Sequence, residues 1–120
     1  MKKVLVVDDS AMSRRILRTI LEPIGLQVVE APDGIVALER YFLDKPDVVL
    51  LDLVMSGMYG LDVLAKLREM DPKAAVIVAT ADIQSSTRRM AEDAGAFRVV
   101  TKPFVAEDLV SAVNAALETE

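Results

Sequence analysis

Two stretches of this chain, Val4-Leu5-Val6-Val7 and Val48-Val49-Leu50-Leu51, are apolar at every position, and each stops at an aspartate. A strand that shows water one face alternates polar and apolar residues. A strand with no alternation is covered on both faces, which is the condition of a parallel sheet sandwiched between helices. Further runs at Gln27–Ala31, Ala75–Ala79 and Phe97–Thr101 complete a set of five predicted strands. Amphipathic segments lie between and after them. Ile16, Leu17, Ile20, Leu21 and Ile24 recur at helical spacing behind Ser10, a good N-cap, and Pro23 and Gly25 close that segment. After the Pro32-Asp33-Gly34 turn, Val36, Ala37, Leu38, Tyr41 and Phe42 suit a second helix that stops before Pro46. Leu61, Leu64, Leu67 and Met70 mark a third, broken by Asp71-Pro72. Ser85 or Ser86 is placed to cap a fourth, running through Met90, Ala91 and Ala94 to Gly95, and Leu109, Val113, Ala116 and Leu117 carry the last.

Strand and helix therefore alternate to the end. That pattern predicts one α/β domain over residues 1–120, an open doubly wound sheet. The flavodoxin-like order 2-1-3-4-5 fits five strands best. The core is expected to be aliphatic, with the six methionines mostly inside, because aromatics are only 4% of the residues. The leading Met1-Lys2-Lys3 is followed by too short an apolar run for a signal peptide or a membrane span, so a soluble, cytoplasmic protein is expected.

In such a sheet, ligands gather at the carboxyl ends of the strands, where the strand order reverses. The predicted ends carry Asp8 and Asp9, Asp52, Thr80, and Lys102 just past the fifth strand. Three clustered carboxylates repel unless a cation lies among them. The chain has no His and no Cys, so the ligands are all oxygen and the expected cation is hard, with Mg²⁺ the best fit. A carboxylate beside such a cation can attack a phosphoryl group, while an ammonium and a hydroxyl neutralise the phosphoryl oxygens. Asp52 is the best nucleophile candidate; Lys102 and Thr80 suit the other two roles. The absence of His and Cys also excludes a Ser-His-Asp triad, a thiol nucleophile and a phosphohistidine on this chain. A formal net charge of −5 argues against a nucleic-acid-binding module. Arg14, Arg15 and Arg18 read as a solvated face or a docking rim, and Arg88-Arg89 as solvated.

With VLVVDDS at 4–10, DVVLLDLVMSGMYG at 47–60, VIVATA at 76–81 and AGAFRVVTKPF at 94–104, the chain resembles the receiver domain of two-component response regulators, in particular the single-domain chemotaxis type. The strand order is that family's own, so it counts once as support. The resemblance implies that Asp52 accepts a phosphoryl group from a partner histidine kinase or phosphotransfer protein, and that phosphorylation changes affinity for a downstream protein target. It implies Mg²⁺ held by Asp9, Asp52 and the backbone carbonyl of Val54, with Asp8 acting through water. It also implies a phosphoryl group bound by Thr80 and Lys102 beside a small Ala81, and a cis Lys102–Pro103 bond. Slow autodephosphorylation is the only turnover expected.

Three departures stand out. Ser56 replaces a usual Pro, Tyr59 a usual acid, and Val99 the aromatic that normally moves with the Thr on activation. Phe97, two residues earlier on the same side by alternation, is the one aromatic placed to substitute for it. The competing readings are an unphosphorylated pseudo-receiver or scaffold, and a small phosphatase-like enzyme with an Asp nucleophile. Against the second, Val54 occupies the position where such enzymes carry a general acid. The sequence ends at Glu118-Thr119-Glu120, so the protein is either a stand-alone regulator or a receiver cut from a longer one.

Overall fold

A computed structural model describes residues 1–55, 59–82 and 84–119. Strands β1 (Lys3–Val7), β2 (Gln27–Ala31), β3 (Val48–Asp52), β4 (Val76–Thr80) and β5 (Arg98–Thr101) alternate with helices α1 (Ala11–Leu21), α2 (Gly34–Asp44), α3 (Gly60–Met70), α4 (Ser85–Asp93) and α5 (Ala106–Glu118). A single 3₁₀ turn, Glu22–Ile24, extends α1. All neighbours pair in parallel, in the order β2-β1-β3-β4-β5, as expected. The chain turns back between β1 and β3, and a cleft opens there beyond their carboxyl ends.

Alternation along the strands feeds two cores. Val4, Val6, Val48, Leu50, Ile77, Ala79 and Val100 meet Leu17 and Leu21 of α1 and Leu109, Ala112, Val113 and Ala116 of α5. Leu5, Val7, Val49, Leu51, Val76, Val78 and Val99 face Ala37 and Tyr41 of α2, Val63, Leu64 and Leu67 of α3, and Ala91 of α4. Each large aliphatic side chain buried this way contributes about 1.5–3 kcal/mol. Because β1, β3 and β4 are apolar on both sides, the sheet is fixed in depth and register, and their end residues arrive at defined positions.

The helix ends follow local chemistry. The Ser10 hydroxyl accepts the Ser13 N–H at 3.2 Å, and the Asp33 carboxylate accepts the Val36 N–H at 2.9 Å. Gly25 and Gly95 take left-handed conformations, with φ of 90° and 104°.

Several expectations fail in instructive ways. In α1 the row Leu17–Leu21 is buried, whereas Ile16 and Ile24 are exposed. Ile16 is turned about 100° around the helix from Leu17, and Ile24 lies in the 3₁₀ turn past the end of α1. Phe42, next to buried Tyr41, and Met90, next to buried Ala91, are turned away in the same manner, and Met70 is exposed at the last position of α3. Among the described methionines only Met55 is buried; Met1 and Met12 are exposed as well. The N-cap of α4 is Gln84, so Ser85 and Ser86 lie inside the helix. Phe97 precedes β5, and its N–H donates to the Val76 carbonyl at the start of β4, the end of the sheet away from the cleft. Its ring lies against the Arg98 guanidinium instead, at 5.6 Å, so it does not take the place that Val99 leaves. The expectation for Ser56 lies outside the described residues. Among the described residues, no helix is long and apolar enough to cross a membrane.

Candidate functional site

The cleft is built from strand ends. β1 delivers Asp8, 2% exposed, and the exposed Asp9; β3 ends in Asp52, 7% exposed. One carboxylate oxygen from each lies within 4.8 Å of the other two. From just beyond β5, the Lys102 ammonium reaches in, 2.8 Å from Asp8 Oδ2 and 3.4 Å from Asp52 Oδ1. The Lys102–Pro103 bond is cis, as the resemblance implied. Thr80, 3% exposed, ends β4, and its carbonyl accepts the Lys102 N–H at 2.9 Å. The structure thus joins both carboxylates of β1's end, Asp52 and Lys102 in one cluster, with Thr80 at the end of the next strand. Val54, two residues past Asp52, has an exposed side chain, and its N–H points at Asp52 Oδ1 over a long 3.4 Å.

The electrostatics follow from burial and crowding. Burial pushes the Asp52 carboxyl above its ordinary value, and the Asp8 charge adds to this, while the Lys102 ammonium opposes it. Burial also works against the charge on Lys102, but the hydrogen bond to Asp8 and the charges of Asp52 and Asp8 outweigh it and leave the ammonium more firmly protonated than usual. One ammonium among three carboxylates still leaves a surplus of negative charge. Three acids offering only oxygen ligands, with no competing nitrogen or sulfur donor, fit a hard divalent cation that keeps part of its water shell.

Asp8 is already engaged at every polar atom. Its Oδ1 accepts the Ser10 N–H at 2.9 Å and its Oδ2 the Lys102 ammonium. Its N–H donates to Ala31 O at 3.1 Å, and its carbonyl accepts Arg14 Nη1 at 2.6 Å. Asp8 is therefore suited to shaping the cluster, whereas Asp9 is its exposed member.

Residues outside the predicted set also hold the cleft. Gly60 opens α3 against the end of β3, and a Cβ there would lie 2.5 Å from the Leu53 carbonyl oxygen and 2.6 Å from that of Asp52. Any side chain at this position pushes α3 off the Asp52 strand. The Asp82 N–H donates to Thr80 Oγ1 at 3.0 Å, and the Asp82 carboxylate accepts the Gln84 N–H and the Thr87 hydroxyl. Thr80 is thereby wired to the first turn of α4. Arg14 and Arg18 are not a solvated face: both bind Glu30 of β2, and Arg14 also reaches Asp8. Glu30, an acid between Val29 and Ala31 in β2, is the partner, and the strand register is what brings it to α1.

Comparison with known proteins agrees with this geometry. Residues 4–114 match the family model of the response regulator receiver domain. The chain is 39% identical to the chemotaxis protein CheY of Thermotoga maritima over 114 residues, which cover 94% of this chain and 95% of that one. It is 43% identical over 117 residues to the transcriptional regulatory protein KdpE of Mycobacterium tuberculosis, covering 98% of this chain but 51% of that one. Among solved structures, Vibrio cholerae CheY4 superposes with a TM-score of 0.92 at 28% identity, covering 98% of this chain and 99% of that one. A receiver domain from Clostridium thermocellum superposes with a TM-score of 0.93 at 30% identity, covering 99% of this chain and 96% of that one.

Proposed function

The chain belongs to the response regulator receiver domain family, and from that premise we propose that it is a phosphorylation-controlled signalling switch whose phosphoryl acceptor is Asp52. The observation that carries this reading is the Lys102 ammonium bridging Asp8 and Asp52 across the ends of β1 and β3, with Asp9 completing an oxygen-only cluster.

An oxygen of the Asp52 carboxylate attacks the phosphorus of a donor phosphohistidine. The P–O bond forms as the donor P–N bond breaks, and the imidazole leaves with the bonding electron pair. The chain contains no His, so a partner kinase or phosphotransfer protein supplies that donor. Burial that raises the Asp52 pKa also makes its carboxylate a more basic nucleophile. Lys102, held protonated by its acidic neighbours, places a fixed positive charge beside the incoming phosphoryl oxygens. Thr80 donates its hydroxyl to another of those oxygens. Asp9, Asp52 and the Val54 carbonyl would hold Mg²⁺, with Asp8 acting through water, and the ion would supply positive charge against the crowded carboxylate and phosphoryl oxygens.

The output passes through the Thr80 side. When the Thr80 hydroxyl turns to a phosphoryl oxygen, its bond from the Asp82 N–H is disturbed, and Asp82 carries the change to Gln84 and Thr87 of α4. Val99, buried in the core, leaves this polar route as the main one. The affinity for a downstream protein changes with the position of α4.

Labelling with acetyl phosphate and Mg²⁺ tests the reading. The label is expected to be lost to hydroxylamine, as a mixed anhydride is, and to be absent in Asp52→Asn. A hydroxylamine-stable label, or label persisting in Asp52→Asn, overturns it.

A further inference from the structure

Arg14 has no place in the chemistry above, yet it is built into the site. It lies in the first turns of α1, and its side chain is only 16% exposed. Its guanidinium makes two directed contacts, Nε to Glu30 Oε1 at 2.8 Å and Nη1 to the Asp8 carbonyl oxygen at 2.6 Å. The second oxygen of Glu30 is taken by Arg18, through Nε at 3.0 Å and Nη2 at 2.8 Å. Arg18 is itself held by Glu22 Oε2 at 2.7 Å. Glu30 is thus a fixed post on β2, and Arg14 is a rigid strut from that post to β1.

The strut meets the peptide that joins Asp8 to Asp9. On the amino side of Asp8, the N–H is pinned to Ala31 O; on the carbonyl side, Arg14 is the pin. The plane of that peptide decides in which direction Asp9 leaves the end of β1. We infer that Arg14, locked by Glu30, is a positioning residue that aims the Asp9 carboxylate at the cation site formed with Asp52. The inference rests on the metal-binding part of the function proposed above.

The charges make the test sharp. Arg14, Arg18, Glu22 and Glu30 form a set of two cations and two anions, so the cluster projects little net field onto the cleft. Removing the Arg14 charge leaves the neighbourhood more negative, and electrostatics alone then tightens a divalent cation. Loss of aim does the opposite. Groups that orient metal ligands typically alter affinity by about 10–100-fold when removed. Arg18→Gln is the control, since it loosens the same Glu30 without touching Asp8.

The experiment is a Mg²⁺ titration of the unphosphorylated protein, followed by NMR shifts of the Asp9 and Asp52 amides. Arg14→Gln is expected to raise the half-saturating Mg²⁺ concentration about tenfold, and Arg18→Gln, which loosens Glu30 but leaves the Arg14 bond to Asp8 in place, to raise it far less. Acetyl-phosphate labelling of Arg14→Gln is expected to fall at low Mg²⁺ and to recover when Mg²⁺ saturates, which a general loss of structure does not do. Should Arg14→Gln fold poorly, Arg14→Lys serves: a single ammonium cannot span both acceptors, and about a threefold weakening is expected. Unchanged or tighter Mg²⁺ binding in the Arg14 variants overturns the inference, as does equal weakening in Arg18→Gln. Absence of any Mg²⁺ shift near Asp9 and Asp52 in the unaltered protein overturns the metal site itself.

Discussion

On the β1 side of the cleft, Asp8 is held at its N–H, its carbonyl and both carboxylate oxygens. On the β4 side, Thr80 Oγ1 accepts the N–H of Asp82, an exposed residue, whose carboxylate in turn anchors α4. The helices behind them differ in the same sense. α1 buries Leu17 and Leu21, carries a Ser10 cap and is clamped to β2 through Glu30. α4 buries only Ala91 and has no side-chain hydrogen bond at its N-cap residue. β5 behind α4 is exposed at both ends, at Arg98 and Thr101. The first half has the construction of a holder and the second that of a moving part. A group that must meet a phosphoryl donor at a fixed distance belongs on the holder, and a signal to a partner belongs where displacement costs little.

The comparison breaks most visibly if the two halves respond alike to truncation. Leu21→Ala, at a fully buried site in α1, is expected to cost about 3 kcal/mol in urea unfolding. Met90→Ala, exposed on α4, is expected to stay within about 0.5 kcal/mol. Comparable losses would remove the distinction. Next in size is Gly60→Ala at the junction of α3 with the Asp52 strand. The added Cβ meets backbone oxygens at 2.5 and 2.6 Å that cannot step aside, so a loss of about 2 kcal/mol is expected, together with weaker labelling of Asp52.

Asp52→Asn moves stability the other way. Burial holds the Asp52 carboxyl above its ordinary 3.8, so the native state binds this proton more readily than the unfolded chain does. Stability from this group is therefore full at low pH and falls as pH rises through the interval between the two pKa values. The cost persists at neutral pH. Asparagine cannot ionise, so Asp52→Asn is expected to raise Tm by a few degrees at neutral pH in the absence of Mg²⁺. That gain shrinks to nothing as pH falls below 3.8. A lower Tm at neutral pH would mean that the pair with Lys102 outweighs the burial of the charge.

What could be read in the sequence divides along the same line. The strands of the holder were legible because runs such as Val48-Leu51 have only one way to be buried, and Asp52 then falls at a strand end by counting. Ser10 was legible as a cap because an α1-like row of apolar residues follows it directly. The start of α4 was not. Ser85 and Ser86 are better capping residues than Gln84, but Gln84 has the extended backbone, with φ −67° and ψ 140°, and the acceptor comes from Asp82 further back. Arg14 and Arg18 looked solvated because their partner is set by register. Glu30 pairs with Val6 across β1 and β2, and only that pairing brings its carboxylate under α1. Methionine content predicted burial wrongly for Met70 and Met90, since the helix rows that face the sheet are narrower than the apolar spacing suggests.

The smallest expected effect is also the one that bears most closely on the moving half. Asp82 is exposed, and its carboxylate stays ionised to lower pH than an ordinary Asp, chiefly through the hydrogen bond from the Thr87 hydroxyl and then the Gln84 N–H. Its anchoring of α4 is therefore complete above about the ordinary carboxylate range and is lost only as pH drops through that depressed value. At neutral pH, Asp82→Ala removes the anchor at a stroke while leaving Thr80, Asp52 and Lys102 in place. Global unfolding is expected to change little. Amide exchange in α4, however, is expected to quicken several-fold, up to about tenfold, with β1 and β3 unaffected. Asn at this position keeps an acceptor and is expected to restore part of the protection. If exchange in α4 is unmoved by Asp82→Ala, the link from Thr80 to α4 is not carried by this residue. If exchange at the end of β1 rises with it, the two halves are one unit and the comparison fails.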